Sequence, residues 1–302
     1  MVNLDFAFFN LKNEELQGLI GRKFFLDRLA PIFFAPRIEK LIDLYDLDAC
    51  GCNIMLPLGP GNLSMLQPEK QEDIAHKSTA IVEDCKLAGM AVDRRHKRQF
   101  LKLFNNFPLI FGDNFIKALA SVLVRETLSR RDIKKLVIVG ETEYFPDFIN
   151  EVGSLGIPVS LQNYNPRPLE VLARRLLYEK GQAVSTSCIN PENWEKGDMV
   201  LMFDPDGWQM AISSPQAFCI KLSNEACNLS RDLEVNLRRN GIEWALHNLA
   251  PILEISLLSK AGIWAPGAEH NNAGNDESRR FLDVQELGYK AGLWDLFLDK
   301  AI

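Results

Sequence analysis

Lys134–Gln162, KKLVIVGETEYFPDFINEVGSLGIPVSLQ, is the stretch on which the fold turns. It opens with KKLVIVG, an apolar run without polar alternation that stops at Gly140, the pattern of a strand buried on both faces. Phe145, Phe148, Ile149 and Val152 then recur at helical spacing. Gly153 and Gly156 close that helix, and IPVSLQ begins a second strand. Strand, helix and strand in about thirty residues make a parallel βαβ unit.

Outward toward the C-terminus the alternation continues. Pro168 opens a helix with Leu169, Leu172, Ala173, Leu176 and Leu177 on one face. QAVSTS (182–187), DMVLMFD (198–204), AFCIKL (217–222) and IEWALH (242–247) read as four more strands. Six strands in series predict a doubly wound parallel sheet.

Outward toward the N-terminus the strand signals are weaker, around LDFAFFN, CNIMLPL and GMAVD, with the best helix over 69–88. Gly112-Asp113-Asn114 supplies a turn and an N-cap, and Ile116, Leu119, Ala120, Leu123 and Val124 stripe a linking helix. APGAEHNNAGNDESRR (265–280) is rich in turn formers and precedes an amphipathic helix over 281–298, expected to return to the first domain. The expected class is α/β, divided into an N-terminal α/β domain (1–112), a linking helix (113–131), a doubly wound domain (132–265) and a loop with its return helix (266–302).

Composition narrows the function classes. Hydrophobic residues at 47% and charged residues at 25% are those of a packed globular chain. Thirty-four basic against forty acidic side chains leave a net charge of −6, which gives no global field for nucleic acid or an anionic membrane. The start has no basic leader with an apolar core, and no stretch approaches the roughly 18 apolar residues of a membrane span, so a cytoplasmic protein is expected. The six cysteines are scattered through a long chain and read as reduced and structural.

The whole layout resembles a superfamily that includes shikimate dehydrogenases, acyl-carrier-protein reductases and related predicted amino-acid dehydrogenases: substrate domain, linking helix, Rossmann domain, return helix. Two segments carry the resemblance. GCNIMLP (51–57) is similar to the shikimate-dehydrogenase pattern G-x-N-V-T-x-P-x-K, matching at Gly51, Asn53, Ile54 and Pro57. Met55 stands at the threonine, and Gly59 at the lysine that is catalytic in that family. The same residues also read as a buried strand leaving through a Pro/Gly turn. The family aspartate of G-x-N-T-D is likewise missing, since the comparable stretch is Gly112-Asp113-Asn114-Phe115-Ile116.

The second segment is VGETEYFP, standing where the resemblance expects G-x-G-x-x-G, or G-x-T-G-x-x-G as in the acyl reductases. Gly140 and Thr142 match; the later glycine positions carry Thr142 or Glu143 and Phe145 or Pro146. Those glycines admit a tight turn, a close backbone approach to the diphosphate and close helix–strand packing. Glu141 and Glu143 add two carboxylates beside the expected phosphates, each costing on the order of 1 kcal/mol in water at 4 Å. Gln162 and Asn163 stand where an NAD enzyme holds the ribose with an acid. With Arg167 close behind, the cofactor implied, if any, is NADP. The stretch Asn165 to Pro168 also reads simply as a turn and helix start. The acyl reductases use a cysteine near the C-terminal helix, and no cysteine follows Cys227.

Other constellations are generic. Cys50 and Cys52 lack the companions of a metal site, and His76, His96, His247 and His270 form no metal pattern. His247-Asn248 and Asp204-Pro205-Asp206-Gly207 end expected strands, where α/β sheets present binding residues, although turns favour the same residues. The run Arg94-Arg95-His96-Lys97-Arg98 reads either as a seat for a phosphate-bearing ligand or acidic partner, or as a solvated face.

Two expectations follow. One is a dehydrogenase-fold protein with a degenerate dinucleotide site, binding a small ligand or protein partner in the interdomain cleft. The other is an active NADP-dependent oxidoreductase with an atypical loop, Gly140, Glu141, Thr142, Asn163 and Arg167 on the cofactor side and Asn53, Asp113, Asn114, Asp204, His247 and Asn248 on the substrate side. The layout also implies a homodimer as one assembly. No metal, nucleic acid or membrane is expected.

Overall fold

The computed structural model describes residues 4–12, 14–18, 21–105, 107–142, 145–203, 216–223, 235, 245–263 and 280–301. The chain divides into two compact units, Met1–Gly112 with Leu233–Asn271, and Asp113–Asp232 with Asn272–Ile302. No helix among the described residues is long and apolar enough to cross a membrane.

The first unit is built on β1 (Phe6–Leu11), β2 (Arg37–Leu44), β3 (Ala49–Leu56), β4 (Met90–Val92) and β5 (Leu109–Ile110). Their order is β2-β3-β1-β4-β5, with β2 antiparallel to β3 and the remaining pairings parallel. The helices between them are α1 (Lys23–Phe33), α2 (Pro60–Met65), α3 (Pro68–Asp84) and α4 (Lys97–Leu103). One face of the sheet carries the core: Phe9, Cys52, Ile54 and Val92 pack with Ile74 and Val82 of α3 and Phe100 of α4. On the other face Gly51 is required by contact, because a Cβ there would come within 2.4 Å of the Phe6 ring.

In the second unit α5 (Asp113–Arg130) precedes β6 (Lys135–Val139), α6 (Phe145–Gly153), β7 (Val159–Gln162), α7 (Arg167–Lys180), β8 (Val184–Ser187), β9 (Asp198–Met202) and β10 (Phe218–Lys221). The order β10-β9-β6-β7-β8 is parallel throughout. Counting β6 as the first strand, this is 5-4-1-2-3, the Rossmann order. The central position of β6 explains its unbroken apolar sequence: Leu136, Val137, Ile138 and Val139 are all fully buried. On one face Val137, Val139, Val200 and Met202 surround Trp194, whose indole N–H donates to Gln162 Oε1 at 3.0 Å. That bond ties Gln162 Oε1 to the core beneath the sheet.

Three expectations change. Of the expected strand IEWALH, 242–244 lie outside the described residues and the end is helical: Leu246 begins α8 (Leu246–Lys260), which belongs to the first unit and packs on β1, β4 and β5. Leu246 to Leu258 are all buried, so the helix has no polar stripe to betray its period. Its approach is close at Gly112, where φ is +78° and a Cβ would lie 2.5 Å from the Ala250 carbonyl carbon and Pro251 nitrogen. The linking helix is α5, and it counts with the second unit. The segment that returns to the first unit is α8, whereas α9 (Arg280–Lys290) and α10 (Asp295–Ala301) pack on α5. Phe115 of α5 meets Trp294 and Phe297 there, with ring centroids 5.4 and 5.8 Å away.

Candidate functional site

In parallel α/β sheets ligands gather outside the carboxyl ends of the strands, at the point where strand order reverses. Each unit has one such edge, and the two are built from opposite chemistry.

In the second unit the reversal lies between β6 and β9. Gly140 follows β6 with φ +82°, its N–H bonded to the Gln162 carbonyl at 2.9 Å, so the first glycine of a phosphate loop keeps its left-handed turn. The next residue departs. Glu141 projects across to β7, where Asn163 Nδ2 donates to Glu141 Oε1 at 2.8 Å. A carboxylate and an amide therefore pair over the ground that a diphosphate and ribose would use.

Thr142 Oγ1 donates to Asp113 Oδ1 at 3.5 Å, which brings the buried N-terminus of α5 to this loop. Asn114 lies beside Asp113, and one turn on Lys117 is buried with its Nζ 5.2 Å from the centre of the Phe281 ring.

The start of α6 is equally unlike a phosphate cradle. Pro146 removes one N–H from the first turn, where free amides would otherwise face an anion. Phe145 is buried where a glycine would let helix and strand approach. It packs edge-on against Phe203, the residue after β9, at 6.4 Å, and Phe148 meets the same ring at 5.7 Å. Arg167 is exposed at the first position of α7, with its backbone N–H held by Asn165 Oδ1 at 3.4 Å. Glu143 and Asp204 lie outside the described residues.

In the first unit β1 leads to β3 on one side, and β4 then crosses to the other, so the reversal lies between β1 and β4. Asp93 follows β4 and is buried. Its Oδ1 accepts the Arg95 backbone N–H at 2.9 Å, and Arg95 NH2 donates to Oδ2 at 2.7 Å. His247 Nε2 lies 3.9 Å from the same Oδ2, with both side chains at 3% exposure or less. His96 is the next residue round the turn, and burial pushes its pKa below the usual histidine value, against the opposing pull of Asp93. From the loop after β1, the Glu15 carboxylate caps the Gly61 and Asn62 N–H groups at 2.7 and 2.8 Å.

The structure thus joins His247 to Asp93, a partner that the sequence reading did not single out, and folds Arg95 inward onto it. Lys97 likewise turns in, with Nζ 5.0 Å from the Phe111 ring centre, so the basic run is not a plain solvated face. Asp93 ends the strand signal GMAVD, and a carboxylate closing a parallel strand was the cue available. His247 and Asn248 sit in the first turn of α8 rather than at a strand end.

Asn53 is not in this group. It lies mid-strand in β3, paired with Phe8, and its Nδ2 donates to Glu39 Oε2 at 3.1 Å. Its Oδ1 accepts no hydrogen bond among the described residues. Cys50 and Cys52 lie in β3 as free thiols, and burial pushes them up to about 11 and about 12. No metal-holding group of side chains occurs among the described residues.

No family model matches the chain, and no curated protein matches it. Among solved structures the chain is similar to L-tryptophan dehydrogenase from Nostoc punctiforme, at 12% identity over 98% of this chain and 83% of that one, TM-score 0.44. It is similar to a shikimate dehydrogenase in complex with NADP+, at 12% identity over 84% and 98%, TM-score 0.38. A third is quinate dehydrogenase from Corynebacterium glutamicum in complex with NAD, at 9% identity over 94% and 99%, TM-score 0.39. The Rossmann assignment rests on the strand order of the second sheet, and the functional reading on the residues above.

Proposed function

We propose that this chain is a dehydrogenase-fold protein whose second sheet no longer seats a dinucleotide in the standard way, and that it binds a small molecule in place of conventional hydride transfer. The observation that carries this reading is the Glu141–Asn163 hydrogen bond at 2.8 Å. A diphosphate approaching Gly140 would have to break that bond and then face the freed carboxylate. Pro146 and the buried Phe145 remove the amide and the space that would compensate. Calorimetric titration with NADPH and NADH tests it. The expected result is no saturable heat at micromolar ligand; tight binding together with reduction of a bound small molecule would reject it.

A second reading has its own support in the left-handed turn kept at Gly140 and the exposed guanidinium of Arg167. Under it the chain is an NADP-dependent oxidoreductase, with Thr142 and Arg167 on the cofactor. Arg167→Ala would then weaken NADPH binding while sparing NADH, and an unchanged preference would count against this reading.

A further inference from the structure

We propose that this protein forms a two-fold homodimer through the free edge of its second sheet, where β8 pairs antiparallel with β8 of a second copy and α7 flanks the seam.

Sheet edges are ordinarily guarded against pairing by charge, proline, a bulge or shortness. The other edges among the described residues are guarded in this way: β2 carries Arg37, Glu39, Lys40 and a bulge, β5 has two residues, and β10 ends in Lys221. β8 has no such guard. Gln182 to Asn190 contain neither charge nor proline, and no register shift interrupts the pairing of β8 with β7. Ser187 turns its carbonyl toward β7, where it accepts the Asn163 N–H at 3.3 Å. By the alternation of a strand, Val184 and Thr186 then direct their N–H and C=O groups outward, where β8 has no neighbouring strand among the described residues.

Self-complementarity selects a second copy as the occupant. A two-fold axis through Ser185 sets Val184 opposite Thr186 of the copy, and Thr186 opposite Val184, so the outward groups of each strand meet those of the other. Beside this edge α7 exposes a stripe of Glu170, Val171, Arg174, Leu177 and Tyr178, with Val171 at 69% and Tyr178 at 85% exposure. Apolar surface of this kind, next to unpaired backbone, marks an interaction face. A groove of about 410 Å³ sets Ala173, Arg174 and Leu177 beside Ala183, Val184 and Ser185. The axis through Ser185 therefore passes α7 close to Leu172 and Ala173. Run antiparallel against its own copy, the stripe brings Glu170 opposite Arg174 in both directions, so charge as well as backbone matches itself.

The test is sedimentation velocity of the full chain across the micromolar range, and a reversible dimer is expected. Thr186→Pro deletes an outward N–H and leaves the ladder to β7 whole, so dimer affinity should fall at least about tenfold while the thermal melt stays cooperative. Glu170→Arg should weaken the dimer several-fold, and adding Arg174→Glu to the same chain should restore it. Ser185→Cys in a Cys188→Ser background places two thiols across the axis at the ~4.5 Å Cα separation of a non-hydrogen-bonded pair, within the range a disulfide spans. Oxidised glutathione should then lock this variant as a dimer on a non-reducing gel, leave Cys188→Ser alone unlocked, and be reversed by dithiothreitol.

A chain that sediments as a monomer throughout this range overturns the proposal. So does a dimer that Thr186→Pro leaves intact or that Ser185→Cys does not lock, because either result places the contact on another face.

Discussion

The carboxyl edges of the two sheets occupy the same architectural slot and carry opposite chemistry. At the second, Glu141 is pinned to Asn163 and aromatic rings close in behind. At the first, the buried Asp93 accepts from the Arg95 guanidinium, and His247 Nε2 lies 3.9 Å away. The comparison teaches that strand order fixes where a ligand can sit, whereas the side chains at the first few positions after each strand fix what can sit there. A Rossmann order by itself therefore does not imply a dinucleotide.

Several substitutions break or sharpen this contrast. The largest effect is expected at Gly112→Ala, where a Cβ would strike backbone atoms of α8 and the left-handed φ would be strained. A loss of more than ~3 kcal/mol in chemical denaturation is predicted, together with loss of the His247–Asp93 contact. Phe148→Ala should cost about 3–5 kcal/mol through the cavity left between α6, Phe203 and Phe281. Glu141→Gln keeps the hydrogen bond to Asn163 possible while deleting the charge. If repulsion is the main barrier to the diphosphate, NADPH affinity should rise about fivefold, corresponding to ~1 kcal/mol, and calorimetry reads that directly.

The smallest effect concerns pH. His96 has a folded pKa below its unfolded value because burial disfavours the cation. The unfolded chain therefore binds the proton first as pH falls, so the neutral ring's contribution is fully present above the unfolded pKa of about 6.5 and is lost progressively below it. The melting temperature should drop on acidification through that range, and His96→Gln should flatten part of the drop.

Much of the second unit was legible because β6, β7, β9 and β10 announce themselves as short apolar runs, and α6 and α7 show a helical period between the first of them. What escaped is instructive. Leu246–Lys260 is buried on every side, and Pro251 lies within it, so neither an amphipathic period nor an uninterrupted helix-forming sequence marked it as a helix. The strands β2 and β5 were also missed. In β2 a bulge between Ile38 and Lys40 breaks the alternation that would reveal an edge strand, and β5 has only two residues. The return helix expected at 281–298 is two helices, broken where Gly292 takes φ +66°.

The sites divide in the same way. Gly140, Glu141 and Asn163 were visible as departures from a local pattern. The Asp93–His247 pair was not, because its members are far apart in sequence and only the packing of α8 on β4 joins them. Long-range pairs of this kind leave no local signature, and a carboxylate ending a parallel strand was the single cue to look for one.

The most direct measurement is the Asn163 side-chain amide signal in 15N NMR while NADPH is added. The account predicts that it stays where the bond to Glu141 places it, at concentrations that would saturate an ordinary dinucleotide enzyme. A saturable micromolar shift of that amide would show the pair opening for a diphosphate, and would contradict the account.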